Sequence, residues 1–209
     1  MWNLFKPGSV LSVVLNKLAD LIVLNILWFI ASIPVLTMGP ATVALYSCLE
    51  QRRKNNDSNL FKMFWNAYRS NFKQSIILMV VLLLIVSMLA FDIIFLIKTS
   101  FQFDAVVKIA ISIIIVLVLL SICYVFPLQA RFLNSIAGTL KNAWIMSILH
   151  FPKSIFIALL NYFPLICLLF FTEYFIRFLG LFLALGISCI AYINNIILQK
   201  IFHKYYDNK

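Results

Sequence analysis

Apolar residues run through this chain in long stretches broken by short polar segments. An α-helix rises about 1.5 Å per residue, so about 20 apolar residues cross a hydrocarbon core roughly 30 Å thick. Five stretches meet or approach that length, over about 18–36, 75–97, 109–126, 155–171 and 178–198. The fourth is short and carries Asn161 and Pro164. Only TEYFIR separates it from the fifth, which predicts an antiparallel hairpin. The expected fold is all-α: a polytopic helical membrane protein, one membrane domain over residues 1–209, with about five transmembrane helices.

Between the stretches the period changes. Phe61, Phe64, Trp65, Tyr68 and Phe72 recur at helical spacing with Lys62, Asn66 and Arg69 opposite, predicting a cytoplasmic interfacial amphipathic helix over about 58–72. Ile136, Leu140, Trp144 and Phe151 predict a second over about 134–151. Phe61, Trp65, Tyr68 and Trp144 are candidate partner contacts, because aromatics recur as interface hot spots. Anchoring at the lipid headgroups is their alternative use. The two segments align when Lys62 is laid on Lys141: Trp65 then meets Trp144, Phe72 meets Phe151, Ser75 meets Ser154 and Ile76 meets Ile155. A duplicated unit and a shared composition both produce such an alignment.

The composition, 64% apolar and 11% charged, stands against about one half and one quarter in soluble domains and excludes a soluble enzyme or a disordered chain. The net charge of +10 comes from basic residues set between apolar stretches, so it reads as membrane topology with the lipid bilayer as partner, and not as nucleic-acid binding. With 39–74 in the cytoplasm, only Lys6, Lys17, Lys98, Lys108 and Arg177 of the 17 basic residues lie outside. Five spans then predict an N-terminus outside and a cytoplasmic C-terminus. The N-terminal segment lacks an A-x-A site and reads as retained. Pro34, Thr37, Gly39 and Pro40 predict a turn, the prolines removing backbone donors and Gly39 permitting a positive φ. PVLTMGPATVALY leaves open a re-entrant half-helix after the first span.

Candidate chemistry is sparse. Cys48, Cys123, Cys167 and Cys189 show no metal-ligand spacing, His150 and His203 belong to no HExxH, and no nucleophile-elbow, phosphate-loop or dinucleotide motif is present. The expectation is a non-enzyme with no cofactor, no metal and no catalytic residue. Asn25, Asp92 and Asn161 are the candidate intramembrane polar residues; a carboxylate in a bilayer costs on the order of 2.5–3.5 kcal/mol, so Asp92 is expected to avoid lipid. On one cavity wall the three would line a solute pathway, and apart they would tie helices together. Gly180, Ala184 and Ser188, four residues apart, form a candidate helix-packing strip.

The stretch DLIVLNILWFIASIPVLTMGPATVALY, residues 20–46, resembles the signature of the bacterial YesL-like membrane protein family. Leu24, Asn25, Trp28, Pro34, Thr37, Gly39, Pro40, Ala41, Thr42, Ala44, Leu45 and Tyr46 carry the match. FWNAYRSNFKQS and LKNAWIMSILHFPKS extend the likeness over most of the chain. The resemblance implies a multi-pass protein of the bacterial plasma membrane connected with carbohydrate uptake; it carries no catalytic residues. Trp144 to Ile155 with Pro152 also looks like the coupling-helix region of ABC importer permeases, although AGTLKNAW stands where the ATPase-docking motif would be. The leading expectation is therefore an accessory or regulatory subunit associated with ABC importer permease subunits, with an independent small-solute transporter or channel as the alternative.

Overall fold

The computed structural model describes residues 10–54, 59–98 and 105–206, and every regular element among them is helical. Five stretches are long and apolar enough to cross a membrane: Leu11–Ala31, Leu60–Ile94, Val106–Arg131, Phe151–Phe170 and Thr172–Phe202. The protein has an all-α, multi-pass membrane architecture. Ser58, the expected start of the first interfacial helix, and the basic Lys6 lie outside the described residues.

The core is organised by a helix that is not among the five. α1 (Val10–Ala31) ends in a 3-10 turn at Val35–Thr37, and α2 (Met38–Lys54) follows at once. The turn is built as the sequence demands: Pro34 is extended, and the Thr37 amide and hydroxyl both donate to its carbonyl, at 2.9 and 2.7 Å. Pro40 sits in the first turn of α2, where a missing N–H costs no intrahelical bond. Trp28 Nε1 donates to Thr42 Oγ1 at 3.1 Å, and Arg52 Nε donates to Asp20 Oδ2 at 2.7 Å, so α2 runs back antiparallel along α1. The segment expected as the start of a cytoplasmic loop is thus a fold-back helix, with Ala41, Val43, Ala44, Leu45 and Cys48 fully buried.

α3 (Leu60–Lys98) packs closely on α2. Gly39 lies inside α2, so the positive φ expected of it is not used. Its role is close approach: a Cβ there would stand 2.8 Å from the Ser75 carbonyl oxygen and 3.2 Å from Met79 Cβ. Backbone cannot swing aside as a flexible side chain can. Gly39→Ala is expected to destabilise the protein by about 1–3 kcal/mol, read as an earlier thermal transition in detergent.

The expected helix over 58–72 is not separate, because α3 continues without a break for 39 residues, about 58 Å at 1.5 Å per residue. In the second copy of the pattern the chain does break: α5 (Ile136–Leu149) ends at His150 with φ −115° and ψ 39°, and α6 (Phe151–Phe170) begins with Pro152 in its first turn. Lys73 occupies the aligned place in α3. A proline there removes the donor that would have reached back one turn, and a lysine keeps it. Several aligned positions share environments: Phe64 and Ala143, Ser75 and Ser154, and Leu78 and Ile157 are buried, while Trp65 and Trp144 are exposed; Phe72 and Ile76 are partly buried where Phe151 and Ile155 are exposed.

The strip of small residues lies elsewhere than expected. α4 (Ala105–Arg131) is packed closely by α5, whose buried residues are Thr139, Ala143 and Ser147, while Ile145, Ile148 and Leu149 face outward. This is small-xxx-small packing with the greasy face left for lipid. Gly180, by contrast, is exposed, and a Cβ added to it meets nothing within 4 Å. The reason is a π-turn at Phe182–Gly186, between α7 (Thr172–Leu181) and α8 (Ile187–Tyr206). Its wider turn rotates the face, so Gly180 and the buried Ser188 no longer align. Gly180→Leu is expected to change stability by less than about 0.5 kcal/mol, in contrast to Gly39→Ala in the same assay.

TEYFIR is not a connection either: α7 starts at Thr172, with only Phe171 between it and the end of α6. The ends of the bundle follow from these contacts. α1 runs from the Arg52 end of α2 toward Thr42; α8 passes Asn25 at Ser188 and reaches Glu50 at Gln199. The start of α1 and the finish of α8 therefore lie at the same end. The expectation of termini on opposite sides did not include the return stroke of α2.

Candidate functional site

The end of the bundle where α2, α4 and α8 finish gathers polar side chains that the folding of α2 brings together. Glu50 Oε2 accepts from Arg131 Nη2 at 2.8 Å and from Gln199 Nε2 at 3.1 Å, and Glu50 Oε1 accepts from Arg53 at 3.2 Å. Arg131 also donates to Asn195 Oδ1 at 2.6 Å, and its guanidinium lies 5.1 Å from the Phe202 ring centre. The Arg131 side chain is only 6% exposed, so its charge depends on these partners. Burial alone would raise the Glu50 pKa; Arg131, helped by Arg53 and Gln199, outweighs burial and holds the carboxyl below its ordinary value.

Beside this cluster a polar groove of about 480 Å³ opens between α2, the first turns of α3 and the connection from α4 to α5. Gln129, which lines it, donates from Nε2 to Ser75 Oγ at 2.8 Å, while its Oε1 is buried with no hydrogen-bond partner. Ser47 Oγ donates to the Ala130 carbonyl across the groove wall at 3.4 Å. A second cavity, about 520 Å³ between α6 and α7–α8, is lined by residues such as Phe163, Phe178 and Leu185 and has an almost wholly apolar wall. Among the described residues no group of three or more His, Cys, Asp or Glu could hold a metal ion.

The residues singled out from sequence are dispersed. Asn25 is fully buried: its Nδ2 donates to the Leu183 carbonyl at 2.7 Å and its Oδ1 accepts from the Ser188 amide at 2.8 Å, so it clasps the π-turn. Asn161 donates to Ile157 O within its own helix, and Asp92 is exposed on α3. These three do not share a cavity wall. Pro34, Thr37, Gly39 and Pro40 form the α1–α2 turn, and Ala184 sits partly buried in the π-turn. Phe61, Trp65 and Trp144 are exposed, at 61%, 37% and 38%. Trp65 stacks on the partly buried Tyr68 at 5.2 Å with Arg69 5.4 Å from its ring centre. Sequence reasoning passed over Glu50, Gln199 and Gln129 and read Arg131 only as a topology charge; Asn195, expected as a residue able to tie helices together, does so by accepting from Arg131. The available signal was a carboxylate and an arginine each next to a span end, which is also where unpaired topology charges sit.

A buried ion-paired end, a fold-back helix and an apolar perimeter define the class: a multi-pass helical membrane protein with a built polar end. Within it, the family described as "Protein of unknown function, DUF624" matches residues 21–93, from α1 through most of α3. That span holds the α1–α2 turn, Glu50 and one wall of the groove. No curated protein and no solved structure matches the chain.

Proposed function

We propose that the protein is a non-enzymatic accessory or regulatory subunit associated with a carbohydrate ABC importer of a bacterial plasma membrane, as the YesL-like resemblance of residues 20–46 implies. The observation that carries the reading is the outward aromatic face of α3. Phe61 and Trp65 are exposed, and Trp65 is held in place by stacking on Tyr68. α3 is about 58 Å long against a hydrocarbon core of roughly 30 Å, so its first turns reach past the bilayer where a partner is accessible. The basic residues Arg52, Arg53, Lys62 and Arg69 share that end, which supports a cytoplasmic placement by the positive-inside rule. The rival reading, an independent solute transporter, draws no support from Asn25, Asp92 and Asn161, which stand apart.

The test is recovery of a permease with the tagged protein from its native membrane. Trp65→Ala or Trp144→Ala is expected to reduce that recovery severalfold while the variant still inserts and accumulates. Deletion is expected to impair growth on a carbohydrate taken up by the associated importer and not on glucose taken up by another route. Unimpaired uptake across a broad set of oligosaccharides, with no permease recovered, would contradict the proposal.

A further inference from the structure

We infer that the polar groove between α2, α3 and the α4–α5 connection binds a hydroxylated phosphate ester, the chemistry shared by the headgroup of a glycerol-based anionic phospholipid and by a soluble phosphorylated polyol. The inference does not rest on importer association. At about 480 Å³ the groove falls in the range of small-ligand sites. Among the described residues its lining offers donors and holds no carboxylate: the amides of Gln51 and Asn66 and the ammonium of Lys62. Lys62 has no ion-pair partner among the described residues, and the charge of Arg131, which also lines the groove, is already met by Glu50 and Asn195. An anion is the ligand that uses an unpaired lysine beside neutral donors. Among the described residues a metal cation would find no carboxylate to replace its water.

The second half of the chemistry comes from Gln129. One end of its amide is bonded to Ser75, and the other, Oε1, is buried without a partner. Whichever way the amide is turned, Ser75 satisfies one end only. As placed, Oε1 calls for a donor, which a simple phosphodiester lacks and a hydroxyl of a polyol ester supplies. Lys62 for the phosphate and Gln129 for a hydroxyl together specify the class.

The experiment uses the full chain in phosphatidylcholine nanodiscs. sn-Glycerol 3-phosphate is titrated by calorimetry, and phosphatidylglycerol retention from mixed-lipid nanodiscs is read by native mass spectrometry. At least one probe is expected to bind, and Lys62→Ala and Asn66→Asp, both at exposed positions of α3, are each expected to weaken it about tenfold. Binding of the soluble probe alone assigns the site to a free ester; phosphatidylglycerol enrichment alone assigns it to a lipid headgroup. The ligand-free melting temperature of both variants is expected to match the parent, which separates lost binding from lost folding. Absence of binding by either probe, or binding that survives unchanged in both variants, would overturn the inference.

Discussion

Replacing Arg131 by methionine is expected to lower stability by about 3 kcal/mol, read from reversible unfolding in mixed micelles. Arg131 is nearly enclosed and donates to both Glu50 and Asn195, tying α4 to α2 and α8 at once. Methionine fills much of the volume but leaves Glu50 without its buried cation and Asn195 without its donor. Glu50 keeps Arg53 and Gln199, so the loss stays below that of a wholly orphaned charge. Glu50→Gln is expected to cost less, since the amide oxygen still accepts from Arg131. The double variant should fall short of the sum, because the two changes remove the same contact. An Arg131→Met protein as stable as the parent would mean that the charged end does not hold the three helices together.

The second large effect belongs to Asn25. Its amide joins the Leu183 carbonyl and the Ser188 N–H, five residues apart, the span of one π-turn. Asn25→Leu strips partners from two backbone groups in the membrane interior, where no water replaces them, and is expected to cost about 2–3 kcal/mol. Asn25→Asp keeps the acceptor and loses the donor, so it falls between. Asn161→Leu is the contrast: its amide only supplements the Ile157 carbonyl of its own helix, and the change is expected to be nearly neutral. Equal effects from Asn25 and Asn161 would remove the π-turn clasp from the account.

The apolar stretches were legible because length and hydropathy are nearly sufficient for a membrane helix, and the helices over Val106–Arg131 and Phe151–Phe170 contain the stretches expected at 109–126 and nearly all of 155–171. α2 was not legible by that rule. It is 17 residues long and ends in EQRRK, yet small residues such as Gly39, Ala41, Ala44 and Cys48 let it be enclosed by α1, α3, α4 and α8. Spacing suggested only a half-helix there, and the consequences for both ends of the chain were lost with it. The amphipathic pattern over 58–72 was real as a pattern, but nothing at Lys73 stops a helix as Pro152 does, so it merged with the span that follows. The Gly180 strip failed because a π-turn has no spacing signature, and the i, i+4 rule holds only while the helix stays α. Of the polar end, Glu50 and Arg131 read from sequence as ordinary span-end charges, and Asn195 as one of several residues able to tie helices together. Only the return of α2 places Glu50 against Arg131.

That return is tested most directly by cysteine accessibility in a background free of the four native cysteines. Single cysteines at Lys17, Asn59 and Lys200 are expected to react with an impermeant thiol reagent only after the membrane is opened, whereas one at Glu173, at the opposite end of the bundle, reacts in intact cells. A Lys17 cysteine that reacts in intact cells while Asn59 and Lys200 stay protected would restore the five-stroke chain with its N-terminus outside and contradict the fold-back helix.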